Sequence, residues 1–203
     1  MKTCVIFCAG GFSTFAEPVN EEDLVIAADG GLRHAEQCGV RPTLILGDFD
    51  SLGYTPDRAE VFPVEKDDTD SMLAMKEGLG RGFRRFVLYG ALDGDRLDHT
   101  IANFQALLYL ARRGAQGWLY GQGERYTAVC GGDFTFPARD RGILSVFCLG
   151  ADARDVSIQG GQYPLHHAVL TAEFPLGVSN HFVGRPITVS VRDGSLLIGV
   201  VED

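Results

Sequence analysis

Apolar runs alternate with helical patterns along the first 120 residues of the chain. Read as buried strands, the runs lie at 4–9, 24–28, 43–46, 61–64, 86–89 and 118–120. Because strands that alternate with helices are joined by right-handed crossovers, this pattern predicts a mostly parallel sheet. We therefore expect an α/β N-terminal domain over residues 1–122.

Two of the predicted helices have a recognisable apolar face. The first can be capped by Asp68 or Thr69 and carries Met72, Met75 and Leu79 on one side. The apolar stripe of the second, which Gly114 ends, consists of Leu97, Ile101, Phe104, Leu108 and Ala111. We expect both faces to pack against the sheet.

The pattern changes near residue 124, where helical periodicity gives way to short strands separated by glycine-bearing turns. Ile187, Val189 and Val191 alternate with polar residues, which predicts a half-buried strand. Asp193-Gly194 is a typical two-residue hairpin turn and leads into a further strand at 196–201. Residues 123–203 are therefore predicted to form a C-terminal antiparallel β-sandwich or roll.

Charge and cysteine content narrow the function classes. The net charge of −9 argues against a nucleic-acid or anionic-membrane surface. The five cysteines include no C-x-x-C pair, which fits neither a zinc site nor a disulfide framework. No apolar run reaches the roughly 18 residues of a membrane span, and the first residues lack the pattern of a signal peptide. We expect a cytoplasmic protein.

Acidic residues follow the predicted strands repeatedly. Asp48 and Asp50 stand two apart after a strand, so both can face one point. Carboxylates held that close favour a shared hard cation such as Mg²⁺. An isolated D-x-D is more often a solvated turn. Further acids at 67–70 and 93–98 make a functional site the better interpretation, because ligands bind beyond the carboxyl ends of parallel strands.

Each of the other polar segments has an ordinary structural alternative. Asp67 and Asp70 can face one ligand, with Lys66 reaching a phosphate, or can simply complement a helix dipole. Asp98 can be a helix cap or a catalytic group. Gly10-Gly11 can offer backbone N–H groups to a phosphate or form a plain turn.

Together these segments resemble the motif series of the thiamine pyrophosphokinases. The likeness is carried by Asp29-Gly30-Gly31, Gly47-Asp48-Phe49-Asp50-Ser51, Lys66-Asp67-Asp68-Thr69-Asp70 and the segments 90–99, 160–165 and 175–180. They follow the family's order along nearly the whole chain. The acidic insertion at 92–95 departs from the pattern and leaves the roles of Asp93 and Asp95 open.

The resemblance implies transfer of a diphosphate from ATP to the hydroxyl of thiamine, giving thiamine diphosphate and AMP. It implies Mg²⁺ on the ATP phosphates, held by Asp48, Asp50 and Asp67. Asp50, Asp70 and Asp98 would be catalytic. The residues implied in binding ATP or thiamine are Asp29, Gly30, Lys66, Thr69, Gly90, Arg96, His99, Ser157, Tyr163, Ser179 and Asn180. In the family thiamine lies across a homodimer interface, stacked on the ring at the position of Tyr163.

Two other functions remain open at this point. A Mg²⁺-dependent phosphatase of the aspartyl-phosphate type would use the D-x-D pair as nucleophile and acid. A nucleotide- or thiamine-sensing module would bind these ligands without turnover. Release of AMP from ATP in the presence of thiamine would separate the three.

Overall fold

The computed structural model describes residues 1–12, 15–49, 53–57, 59–61, 67–94 and 96–202. Its helices are α1 (Gly31–Gln37), α2 (Asp70–Gly80) and α3 (Leu97–Ala111). Its strands are β1 (Thr3–Phe7), β2 (Leu24–Ala28), β3 (Leu44–Gly47), β4 (Glu60–Val61), β5 (Arg85–Tyr89), β6 (Gln116–Tyr120), β7 (Glu124–Phe136), β8 (Ile143–Cys148), β9 (Ala153–Gln159), β10 (Leu165–Leu170), β11 (Gly177–His181) and β12 (Ile187–Val201).

The first half is the predicted parallel sheet, in the order β6-β5-β1-β2-β3-β4 with each neighbouring pair parallel. Alternate residues of its central strands point to opposite faces. One face packs against α2 and α3, and Ile6 belongs to this core. The other face packs against α1, in a cluster that contains Phe7, Val5, Val87 and, from α1, Ala35. Burial on both faces explains why β1 and β2 read as unbroken apolar runs.

The second half continues the same sheet, because β7 pairs with β6 in the antiparallel direction. The long strand β12 pairs with β7 along its whole length, while its other edge pairs first with β9 and then with β8. Inward-facing residues of these strands, including Val146, Ile158, Val189 and Ile198, form one apolar core. This arrangement confirms the predicted C-terminal half of antiparallel β-strands.

The predicted hairpin at Asp193-Gly194 is wrong. The chain does not reverse there but continues as β12, with a shift in register against β7 between Val191 and Ser195. A β-bulge uses the same glycine conformation as a tight turn and bends the strand instead. The bend lets β12 exchange its partner β9 for β8.

The predicted apolar face of α3 is also partly wrong. Leu97 and Ile101 are exposed at 71% and 53% of their surface, whereas the buried positions are Asn103, Ala106, Leu107, Leu108 and Leu110. The buried face is thus rotated from the predicted stripe and includes one polar side chain. On α2 the predicted face is confirmed, since Met75 is fully buried and Met72 and Leu79 pack against the same core.

None of the helices in the described part of the chain is long and apolar enough to cross a membrane.

Candidate active site

A cavity of about 460 Å³ opens at the carboxyl ends of β1, β2, β3 and β5. It is completed by the first residues of α2 and by Arg96, His99 and Asn103 at the start of α3. A larger hollow of about 690 Å³ lies beside α1 and the segment 54–57, but none of the described residues predicted for the site lines it. The smaller cavity is therefore the candidate active site.

Three carboxylates meet in this cavity. Asp29 follows β2, Asp48 follows β3 and Asp70 opens α2, and each offers an oxygen within 4.8 Å of the others. Asp29 is only 5% exposed, and its Oδ1 is buried with no hydrogen-bond partner within the described residues. A buried carboxylate oxygen without a donor is costly, and a bound cation would satisfy it.

The backbone fixes Asp29 in this position. Its φ of +49° lies in the left-handed region, which aspartate adopts more readily than most residues. Its N–H donates to the carbonyl of Leu46 at 2.8 Å, and its carbonyl accepts from Leu32 at 3.2 Å. The turn between β2 and α1 is thus held to the end of β3, next to Asp48.

The aspartates that cluster in the cavity are not the same three that were predicted as metal ligands. Asp48 was predicted as a metal ligand together with Asp50 and Asp67, whereas the structure places it with Asp29 and Asp70. Asp67 is exposed and does not line the cavity. Asp50 and Lys66 lie outside the described residues.

Thr69 is the N-cap of α2, which settles the choice between it and Asp68. Its extended backbone brings Oγ1 within 3.2 Å of the Met72 N–H, from which it accepts a hydrogen bond. Asp68 instead forms an ion pair with Lys76, with Nζ and Oδ2 2.6 Å apart. Both Asp68 and Thr69 line the cavity, as does Ser71 in the first turn.

Asp98 lies in the first turn of α3 but is not among the residues that line the cavity. Arg96 donates to it from Nη2 at 2.6 Å and from Nε at 3.3 Å. These hydrogen bonds lower the pKa of the Asp98 carboxyl from its ordinary value. Asp98 is therefore an ionised, exposed acceptor beside the cavity, and its helix has no side-chain cap at Arg96.

The glycine pair after β1 forms a close contact between loops. Gly10 N–H donates to the Gly90 carbonyl at 2.9 Å, and Gly11 N–H donates to the Asp93 carbonyl. A Cβ on Gly10 would lie 2.6 Å from two carbonyl oxygens. Both N–H groups are thus engaged by the neighbouring loop, and the segment forms an isolated bridge between Gly11 and Asp93.

Sequence reasoning missed a polar network behind the cavity. Buried Asn103 donates from Nδ2 to the Ala91 carbonyl at 2.8 Å and accepts from Ser71 Oγ at 2.8 Å. Thr100 donates to the Leu92 carbonyl at 2.8 Å. These side chains hold the loop after β5 against α2 and α3. The sequence did contain a signal for Asn103, because this polar residue lies three, four and seven positions before Ala106, Leu107 and Leu110 and so shares their helix face.

The predicted residues of the second half lie elsewhere. Asn180 accepts from the Tyr163 N–H at 3.0 Å and donates to the Tyr163 carbonyl at 2.6 Å, while Tyr163 itself is 57% exposed. Ser157 is buried and accepts from the His167 N–H at 3.1 Å. Ser179 has a φ of +61° and is exposed. None of these four lines the acidic cavity.

A parallel sheet with polar side chains gathered beyond its strand ends is typical of α/β proteins that bind a ligand at this edge. Comparison with known protein families identifies the family. The model for the thiamin pyrophosphokinase catalytic domain matches residues 15–119, and that for the vitamin B1 binding domain matches residues 135–196. The chain belongs to the thiamin pyrophosphokinase family.

Individual relatives agree with this assignment. Thiamine pyrophosphokinase of Bacillus subtilis is 24% identical over 188 residues, which is 88% of this chain and 87% of the relative. A crystal structure of the Bacillus subtilis protein superposes with a TM-score of 0.85 at 24% identity, covering both chains completely. Thiamin pyrophosphokinase from Candida albicans has a TM-score of 0.78 at 12% identity, covering 99% of this chain and 90% of that one.

The predicted family and thiamine diphosphokinase activity are therefore confirmed. The phosphatase and the non-catalytic sensor are not supported, since both halves match models of one kinase family.

Proposed function

We propose that the chain transfers a diphosphate from ATP to the hydroxyl of thiamine with Mg²⁺ held at the acidic cluster, and that it does so in the cytoplasm as a homodimer. The observation that carries the proposal is the buried, unbonded Oδ1 of Asp29 beside Asp48 and Asp70. Residues 1–122 would bind ATP and residues 123–203 thiamine.

The cluster suits a hard divalent ion, because all three ligand groups are carboxylates and Mg²⁺ prefers oxygen. A bound Mg²⁺ would neutralise charge on the ATP phosphates and polarise their phosphorus–oxygen bonds. Asp50 and Asp67 are proposed as further ligands on the family resemblance alone.

Other groups in the cavity would position the phosphates. Arg96 and His99 line it and can offer donors to phosphate oxygens. The first turn of α2 also lines it, and the N-terminus of a helix favours an anion. Gly30 and Gly90 would allow close approach of the backbone, and Lys66 would contribute a positive charge.

Asp98 would orient the alcohol of thiamine. An exposed carboxylate is ionised near neutral pH, and the hydrogen bonds from Arg96 lower its pKa further, so Asp98 can accept a hydrogen bond from the attacking hydroxyl. A primary alcohol is a very weak acid, so alignment of its oxygen with the phosphorus would be the main contribution of Asp98.

A homodimer would bring thiamine on one chain to the cavity of the other. Exposed apolar side chains occur on both halves: Leu97 and Ile101 flank Asp98 on α3, and Phe174 lies in the β-half with Tyr163. Covering such groups between two copies would stabilise a two-fold dimer. Tyr163 would then stack on thiamine, with Ser157, Ser179 and Asn180 nearby.

The activity is tested by incubating the chain with ATP, Mg²⁺ and thiamine and measuring AMP and thiamine diphosphate. Equal amounts of both products are expected, with no AMP when thiamine is left out. Asp48→Asn should lower kcat by about 10²–10⁴ while leaving the fold intact. Phosphate release without thiamine, or binding without turnover, would contradict the proposal.

The shared site is tested by mixing chains that carry Asp48→Asn with chains that carry Tyr163→Ala and letting subunits exchange. A mixed dimer has one site with both changes and one with neither. Random pairing then predicts about a quarter of the wild-type activity. If exchange occurs and only the average of the two variants is recovered, the site lies within one chain.

A further inference from the structure

Asp93 makes two contacts that join segments far apart in sequence. Its backbone carbonyl accepts from the Gly11 N–H, in the loop that follows β1. Its side-chain Oδ2 accepts from the Gln122 N–H at 3.0 Å. One residue of the loop after β5 thus contacts both the edge of the active-site cavity and the connection between β6 and β7.

The connection that Asp93 contacts is the only covalent route from β6 to β7, and it leads from the parallel strands into the antiparallel half. It is a tight turn, in which Gly121 N–H donates to the Glu124 carbonyl at 2.9 Å. A Cβ on Gly121 would lie 3.0 Å from Asp93 Oδ2 and 3.1 Å from Leu92 Cδ1. The turn therefore packs directly on the Asp93 loop.

The same loop faces the cavity. Asp93 and Gly94 line it together with Gly10, and the Gly10–Gly11 segment is hydrogen-bonded to the loop at both Gly90 and Asp93. A movement of the β6–β7 connection would therefore reach the wall of the cavity through this loop, in which Asp93 supplies the hydrogen bond to the connection and Leu92 an apolar contact. A carboxylate that accepts a backbone N–H makes a stronger bond than a neutral acceptor does.

We propose that Asp93 is a positioning residue that fixes the β-half relative to the phosphate-binding cavity. This inference rests on the proposed function, in which the β-half carries thiamine to that cavity. Loss of the Asp93–Gln122 bond would leave ATP binding nearly unchanged and would misplace the two substrates relative to each other. A misplacement of about 1 Å can lower a rate by about 10²-fold.

The test compares Asp93→Ala with Asp93→Asn, since the asparagine has the same shape and keeps an oxygen that can accept from Gln122. Hydrogen exchange at the Gln122 amide is measured alongside kcat and the KM for ATP and for thiamine. For Asp93→Ala we expect exchange at Gln122 to rise about tenfold or more and kcat to fall about tenfold or more, with the KM for ATP within about twofold. Asp93→Asn should recover most of both losses.

Gly121→Ala provides a second perturbation that leaves Asp93 in place. Its new Cβ crowds Oδ2, so it should raise exchange at Gln122 and lower kcat in the same direction, even if Asp93→Ala does not fold. Faster exchange at Gln122 with unchanged kcat would overturn the positioning role. Equal defects in Asp93→Asn and Asp93→Ala with normal exchange would also overturn it, because the charge would then act in the cavity. A wild-type chain that makes no AMP would instead refute the proposed function.

Discussion

Replacing Asn103 by alanine should destabilise the protein far more than a typical polar substitution on a helix. Asn103 is 7% exposed and bridges two structural elements, donating to the Ala91 carbonyl and accepting from Ser71, each at 2.8 Å. Alanine removes both bonds and leaves the buried Ala91 carbonyl without this donor. A buried polar group left unpaired costs about 1–3 kcal/mol.

The two lost bonds are not equal. Ser71 Oγ keeps a second contact, with Thr69 Oγ1 at 3.0 Å, so its share is about 0.5–1.5 kcal/mol. Together with the Ala91 carbonyl this gives a loss of about 1.5–4.5 kcal/mol in the free energy of unfolding. For a chain of this length, 1 kcal/mol shifts Tm by about 2–4 °C, so Tm should fall by about 3–18 °C.

Urea denaturation followed by circular dichroism would measure this loss. Ser71→Ala is the control for one of the two bonds. It keeps the bond from Asn103 to the Ala91 carbonyl but leaves the buried Asn103 Oδ1 without its donor, so it should cost about 1–3 kcal/mol, less than Asn103→Ala. Asn103→Asp keeps an acceptor for Ser71 but has no donor for the Ala91 carbonyl, so it should be at least as unstable as Asn103→Ala. The reasoning fails if Asn103→Ala loses less than about 0.5 kcal/mol or if Ser71→Ala costs as much.

Three further outcomes are expected. Mg²⁺ should raise the urea midpoint of the wild type relative to EDTA, and Asp29→Asn should abolish this difference; an undiminished effect would remove Asp29 from the metal site. Burial raises the pKa of the Cys8 thiol to about 12, so iodoacetamide at pH 8 should label exposed Cys130 and leave Cys8 unmodified in the native protein. Arg96 lowers the pKa of Asp98, so this pair contributes stability above the unfolded pKa of the carboxyl and loses it as pH falls through the lower folded pKa. Arg96→Gln should raise the pKa of Asp98 in an NMR titration, and an unchanged value would contradict the ion pair.

The parallel sheet could be predicted from sequence because its signals are local. β1 and β2 are buried on both faces, so each reads as a short continuous apolar run that ends at a glycine or an acid. The position of the site follows from the same pattern, since ligands bind where such strands end. The sequence also narrowed the cap of α2 to Asp68 or Thr69, because a cap depends on a few neighbouring residues, and the structure has Thr69.

Predictions failed where distant pairing decides the local conformation. Asp193-Gly194 favours a two-residue turn when only its neighbours are considered. In the structure the residues on both sides, Val191 and Ser195, pair with the same strand β7, with a shift in register between them. The bonds to β7 and the exchange from β9 to β8 outweigh the turn preference, so the same dipeptide forms a bulge. No local pattern reports which strands lie beside β12.

The acidic cluster illustrates the same limit at the site itself. The family resemblance named Asp67 as a metal ligand, and spacing alone placed it with Asp70. In the structure Asp67 precedes the cap of α2 and is exposed, whereas Asp70 lies in the first helical turn. Asp29 joins Asp48 because β2 and β3 are adjacent parallel strands, in register from Ile26 onwards. The packing of the surrounding elements brings these carboxylates together although like charges repel one another. Sequence can therefore list the candidate acidic residues. Which of them come together in one cluster depends on the order of the strands in the sheet and on the residue at which each helix begins.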